Sequence, residues 1–187
     1  MADVDDAELV ARAQAGDVSA YEELVRRHGA AAVRLAQAIG GSPADADDVV
    51  QEAFVKAFHS LDRFRPGAPL RPWLFRIVAN EAKNRRRSSG RRAHLVTVFA
   101  GRRPDVVALP EESAVTHAEA QAVLAAVAAL PDRDREVVSF RYFAGLSERE
   151  TAEAIGCPLG TVKSRLARAL DRLRASAELS ALEVSDG

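Results

Sequence analysis

The feature that most constrains this chain is the absence of any sustained apolar–polar alternation with a period of two. Without it there is no half-buried strand and no sheet. Ala, Leu, Arg and Glu dominate instead, all strong helix formers. Apolar residues recur at spacings of three and four, as one face of a helix requires. Only Leu95–Phe99 resembles a strand, and it is too short and isolated to pair, so it reads as linker. The expected fold class is all-α.

Glycine and proline then divide the chain. Asp6–Ala15 forms a short helix stopped by Gly16. Ser19 caps a second, with Leu24, Val25 and His28 inward, ending near Gly29. A third runs from Ala30 to Ile39 and stops at Gly40-Gly41. Ser42-Pro43 opens a helix through Phe58, and Val50, Phe54 and Phe58 are expected to face its core. His59–Pro69 holds Pro66, Gly67 and Pro69 and is a loop. Pro72 sits in the first turn of a helix reaching about Arg87. The following stretch carries Ser88-Ser89-Gly90, Gly101, Pro104 and Pro110 and lacks helical periodicity, which suits a linker better than the interior of a compact domain. The expected organisation is two small helical domains, residues 5–88 and 116–175, joined by a flexible linker at 89–115 and followed by a tail at 176–187.

Several function classes fall away. Cys157 stands alone, so no internal disulfide is available, and no Cys/His spacing fits zinc. His28, His59, His94 and His117 are scattered and match no nucleophile–base or metal arrangement, which leaves no catalytic residue, metal or cofactor to nominate. The N-terminus is acidic, unlike a signal peptide, and no apolar run approaches the ~18 residues of a membrane span. The expected location is the cytoplasm, with no membrane insertion.

Net charge is −1, which by itself argues against a nucleic-acid partner. Its distribution reverses that inference. Residues 1–62 hold 5 Lys/Arg and 12 Asp/Glu, residues 63–103 hold 12 and 1, and residues 104–187 hold 9 and 14. A strongly basic block between two acidic ones suits phosphate binding, although a solvated basic linker has the same composition.

Three surfaces carry chemistry. Asp45, Asp47, Asp48, Gln51 and Glu52 lie off the apolar stripe of their helix, as a docking ridge for a basic protein or as a solvated face. On Arg71–Arg87, Leu74, Ile77, Val78 and Ala82 form the buried stripe. Trp73, Arg76, Asn80, Lys83, Asn84 and Arg87 cover the other faces. Cations meet phosphates, amides read base edges and an aromatic can stack on an unpaired base. Trp73 can equally be a core anchor.

The third surface has the most specific pattern. Ser147 and Glu150 fit a capping box that opens a short helix, with Ala152 and Ile155 inward. Gly156-Cys157-Pro158 makes a turn, Gly156 at the left-handed position after the helix. A second helix begins near Gly160-Thr161, with Val162, Leu166, Leu170 and Leu173 as its inner stripe. Thr161, Ser164, Arg165, Arg168 and Arg172 lie outside. This is the pattern of a helix-turn-helix whose second helix can enter a major groove; an ordinary helical hairpin is the plainer alternative. Val137, Val138, Phe140 and Tyr142-Phe143 are expected to supply its core.

These motifs together resemble a known family. Ala46–Phe54 resembles the core-polymerase-binding helix of sigma region 2. Trp73–Asn80 resembles its melting and −10 recognition helix. Leu130-Pro131 through Arg165 resembles sigma region 4. Two such regions and a linker make the chain similar to an extracytoplasmic-function (ECF, group IV) sigma factor of the sigma-70 family. The resemblance implies a non-enzymatic factor that brings core RNA polymerase to promoters. Asp47, Asp48, Gln51 and Glu52 would contact the clamp helices of the β′ subunit. Arg65, Trp73, Arg76, Asn80, Lys83, Asn84 and Arg87 would face the −10 element, and the loop His59–Pro69 would help hold a flipped base. Thr161, Lys163, Ser164, Arg165 and Arg168 would read the −35 element. The linker would thread toward the active-site and RNA-exit channels, and the β subunit would be a further contact. An anti-sigma factor is the implied inhibitor. Asn84 stands where aspartate is common, and the loop is unusually rich in proline and glycine; both bear on the −10 sequence preferred. Two rival readings are a free-standing helix-turn-helix regulator and a sigma mimic that titrates an anti-sigma factor. A mimic should have lost Arg76, Lys83, Arg165 and Arg168, and all four are present.

Overall fold

The computed structural model describes residues 4–96 and 114–185. Eight α-helices account for nearly all of them: α1 Asp6–Gln14, α2 Val18–Gly40, α3 Ala46–Ser60, α4 Leu70–Val96, α5 Ala114–Ala129, α6 Asp132–Val138, α7 Glu148–Ile155 and α8 Leu159–Ser185. Single 3-10 turns precede and follow α3, and a π-helical turn at Ser139–Phe143 continues α6. No strand occurs among the described residues.

Helix α2 is the spine. Asp17 caps it by accepting the Ala20 N–H at 3.2 Å, and Gly41 ends it at φ +73°. The expected break at Gly29 does not occur. A mid-helix glycine costs about 1 kcal/mol. Leu24 and His28 before it, and Ala32, Leu35, Ala36 and Ile39 after it, lie on one continuous buried stripe that holds the helix together.

Helices α1 to α4 form the first domain. Leu35, Val49, Phe54, Leu74, Phe75 and Val78 are central to its core, and a smaller cluster joins Leu9, Leu24, Leu61, Phe64 and Leu70. Helices α5 to α8 form the second around Val127, Val137, Val138, Val162 and Ala169. The cores are not separate. Phe140, Ala144, Leu146 and Ala154 of the second domain belong to the first domain's main cluster, and Ala38 of α2 belongs to the second's. The two halves are packed face to face.

Besides the break at Gly29, the cap of α2 needs correction, since Asp17 supplies it and Ser19 only donates to the Asp17 carboxylate at 2.6 Å, and four further expectations do too. Phe58 is 43 % exposed, resting edge-on against Tyr21 at 4.9 Å, because the buried stripe of α3 turns away through Phe54 and Ala57. Tyr142 is 54 % exposed and lies beside the Arg141 guanidinium; the π turn rotates it off the face that buries Phe140. Helix α4 runs through Ser88-Ser89-Gly90 to Val96, so the start of the expected linker is helical, including Leu95 and Val96 of the strand-like run. Helix α8 likewise continues past 175 to Ser185, through most of the expected tail. Flanking Arg, Ala, Leu and Glu propagate both helices at little cost. Residues 97–113 of the expected linker lie outside the described residues, and its last two, 114 and 115, already belong to α5.

Candidate nucleic-acid interface

The acidic ridge stands on α3. Pro43 starts the turn that leads into it, and Asp47 and Asp48 occupy its first turn, where the helix dipole favours negative charge. Ala46, Val49, Val50, Ala53, Phe54 and Ala57 are buried, which leaves Asp47, Asp48, Gln51 and Glu52 exposed together. The ridge continues into Val55, 52 % exposed, and Phe58, neither of which the sequence reading nominated. Val55 lies four residues after Gln51, off the Val50–Phe54 stripe, and that spacing was the available signal. Arg85 of α4 reaches back to Glu52 at 3.2 Å and to Asp45 at 3.7 Å.

The second surface is α4. Pro72, Leu74, Phe75, Val78, Ala79 and Ala82 are buried, and Phe75, fully enclosed, is an anchor the sequence reading passed over. Arg76, Asn80, Asn84 and Arg87 are exposed and Lys83 is half-buried. Trp73 is half-buried and packs on the Phe64 ring at 4.9 Å, so it serves as a core anchor. Phe64 in turn roots the loop before α4. The Gln14 side-chain amide donates to the carbonyls of Leu61 at 2.8 Å and Phe64 at 3.0 Å, fixing the loop's start. Arg65 is exposed just beyond. A cavity of about 290 Å³ lies under this loop, lined by Val10, Gln14, Phe64, Pro66, Pro69 and Arg71 among others.

The third surface is the helix-turn-helix. The capping box is formed: Glu150 N–H donates to Ser147 Oγ at 3.2 Å, and Ser147 N–H donates to Glu150 Oε2 at 2.8 Å. Burial alone would raise the Glu150 carboxyl. The Ser147 bonds and the Arg71 guanidinium, 3.8 Å away, outweigh it and hold the group below its usual range. Gly156 takes φ +75°, and Pro158 accepts the Thr161 N–H at 2.9 Å to start α8. Thr151 and Ala154 are the fully buried positions of α7, with Ala152 and Ile155 half-buried beside them. On α8, Val162, Leu166 and Ala169 are buried, while Leu170 and Leu173 are only half-buried. Lys163, Ser164 and Arg168 are exposed on one side, with Thr161 and Arg165 half-buried next to them. Arg172 does not join them: it forms an ion pair with the buried Asp134, so it holds α8 to α6.

The first and third surfaces stand open to solvent. The second is covered in part: Asn80, Asn84 and Arg87 stand exposed, while other cations of α4 are engaged by the second domain. Arg76 donates from Nε to the Ala154 carbonyl at 2.7 Å and from Nη2 to the Glu153 carbonyl. Arg71 Nη2 donates to the carbonyls of Ala144 at 3.0 Å and Gly145 at 2.9 Å. Lys83 pairs with Glu136, and Arg86 with Asp132 at 3.0 Å. All four cations come from α4, and all their partners come from the second domain. No cluster of metal-ligating side chains occurs among the described residues, and no described helix is long and apolar enough to cross a membrane.

A two-domain helical body with an acidic ridge, a cationic and amidic helix and a helix-turn-helix has the surfaces expected of a DNA-binding transcription protein. Comparison with known proteins narrows this. The Sigma-70 region 2 family matches residues 24–92, and Sigma-70, region 4 matches residues 120–173. The chain is 35 % identical to RNA polymerase sigma factor NccH of Alcaligenes xylosoxydans xylosoxydans, across 92 % of this chain and 94 % of that one. It is 36 % identical to the ECF RNA polymerase sigma-E factor of Escherichia coli K12, across 88 % and 90 %. The structure of CnrH in complex with the cytosolic domain of CnrY superposes with a TM-score of 0.74 at 33 % identity, covering 93 % of this chain and 97 % of that one. The chain belongs to the sigma-70 family, as an ECF RNA polymerase sigma factor.

Proposed function

We propose that the chain acts in the cytoplasm as a non-enzymatic initiation factor with three separate working surfaces. Asp47, Asp48, Gln51 and Glu52 dock on the β′ clamp helices of core polymerase. Arg65, Arg76, Asn80, Lys83, Asn84 and Arg87 engage the −10 element, with Trp73 as the packed base of that surface. Thr161, Lys163, Ser164, Arg165 and Arg168 read the −35 element. The domains extend over residues 5–88 and 116–175, the first continuing into the rest of α4. The observation that carries this is the joint exposure of Lys163, Ser164 and Arg168 on the second helix of a formed helix-turn-helix, in the same chain as an exposed acidic ridge. Each DNA surface is small and binds weakly alone. Holding both on one polymerase raises their effective concentration and demands a fixed promoter spacing. The cavity beneath the Phe64–Pro69 loop suits an extruded base, whose capture offsets part of the unstacking cost.

An anti-sigma factor is the natural inhibitor, supported by the likeness to CnrH in its complex with the cytosolic domain of CnrY. Run-off transcription with purified core polymerase on pooled promoter fragments tests the whole reading. New starts downstream of a shared two-part motif are expected. No new starts, with DNA binding in the absence of polymerase, would favour a free-standing regulator. Asp48→Arg should lower polymerase affinity and leave the circular dichroism melt unchanged; transcription at the parent level would make the ridge a solvated face.

A further inference from the structure

Within the first domain, ion pairs of opposite polarity tie the edge of α3 to α4. Lys56 of α3 holds Glu81 of α4 at 2.5 Å, and Glu52 of α3 is held by Arg85 of α4 at 3.2 Å. Arg85 also reaches Asp45, just before α3, at 3.7 Å. One guanidinium thus faces two carboxylates, and a phosphate approaching it meets a net negative site. Its place on the helix nevertheless suits DNA. Asn80, Asn84 and Arg87 form one exposed line along α4, and Arg85 flanks that line beside Asn84. An open cleft of about 620 Å³ brings the two sets of groups together: Asp45 and Glu52 line it with Asn84, Arg85, Arg87 and Ser89. No residue of the second domain lines this cleft among the described residues.

We infer that Arg85 is a further phosphate-binding residue of α4, masked by Asp45 and Glu52 in the free chain and released when Glu52 docks on a cation of polymerase. The planar guanidinium fork fits a phosphate as it fits a carboxylate, so the exchange needs no new geometry. Glu52 is 56 % exposed, and surface pairs of this kind are weak enough to change partners. A Glu52 that turns to a lysine or arginine of the partner leaves Arg85 with Asp45 alone, at the longer distance. The guanidinium then turns to the backbone of DNA lying along α4. Such coupling is reciprocal: DNA held by Arg85 frees Glu52 for polymerase by the same factor. The inference rests on the assignments of α3 to polymerase and of α4 to promoter DNA.

The first test uses the full chain without polymerase and a fluorescein-labelled, random-sequence single-stranded oligonucleotide, read by anisotropy across a salt series. Glu52→Gln is expected to raise affinity about threefold, the scale of one weak surface pair. It should also steepen the log–log salt dependence by about 0.7, the share of one more phosphate on a single strand. Removing a carboxylate weakens general repulsion as well, so the same change is made in an Arg85→Gln background. There the gain should largely vanish. An equal gain in both backgrounds, or no gain in either, would overturn the inference and leave the assignment of α4 standing. Absence of binding by every variant would overturn that assignment and the inference with it. The second test puts Arg85→Gln into the holoenzyme with a promoter fragment from the run-off pool. Binding should weaken alike on all promoters, with the salt slope reduced by about one, as the loss of a single phosphate contact requires. An unchanged slope would show that docking does not release Arg85, and would also overturn the inference.

Discussion

Individual side chains in this protein often serve two structures at once. Phe75 is the strongest example. It is fully enclosed, lies edge-on to His28 at 6.1 Å, and packs in the cluster that both domains share. Phe75→Ala should destabilise the chain by about 3–5 kcal/mol, measured by urea unfolding. Arg165 is the contrasting case, a half-buried cation on the outer side of α8 with no role in the core. Arg165→Ala should leave the melt unchanged. It should cost about 1–3 kcal/mol of promoter binding in the holoenzyme if it contacts a base, with relaxed preference in the −35 element. Competition binding against mutated promoters measures both effects. Roles of this kind are unevenly legible in sequence. The exposure of Asp48, Arg76 and Arg168 follows from periodicity. The enclosure of Phe75 does not, because it lies outside the Leu74–Val78 stripe and is covered by residues from the other half of the chain.

Elements whose ends carry specific chemistry were readable beforehand, while those ended only by composition were not. The Ser147–Glu150 capping box and the left-handed Gly156 fix α7 locally, and both form as the residues suggest. Gly29 and Ser88-Ser89-Gly90 are weak breakers, and α2 and α4 run straight through them. A cost of about 1 kcal/mol yields to a continuous buried stripe in α2 and to helix-forming neighbours in α4. The cap of α2 also gives the chain a dependence on acid. Bonds from Ser19 and then Arg12 hold the Asp17 carboxyl down at about 2, and Arg26 and then Arg27 do the same for Glu23. A carboxyl whose folded value lies below its unfolded one stabilises the fold fully above the unfolded value and loses that contribution as pH falls. Glu23 therefore supports α2 above about pH 4.5 and Asp17 above about pH 3.8; both lie at the surface, where solvent screening keeps the contribution small, and it should fade as pH falls toward 2. A series of thermal melts across this range is expected to show the fall, with a smaller acid-dependent component in Asp17→Asn.

At the scale of the whole molecule, the two domains share apolar residues, so they should not melt separately. Calorimetry of the full chain is expected to give one transition whose calorimetric and van't Hoff enthalpies agree. Leu146→Asp, which places a charge at a fully buried point of the joint, should split it in two. Composition and spacing indicate two domains, but nothing local says that they embrace. Part of the contact is made by backbone carbonyls of α7, and a sequence does not reveal which carbonyls a distant arginine will find. The capping of α7 by Arg76 also has a consequence for how affinity is reported. A ligand that binds only the open fraction has an apparent Kd equal to its intrinsic Kd divided by that fraction. A chain open about one time in ten would thus look about tenfold weaker for any ligand of the covered part of α4 than that face is, without any defect in it.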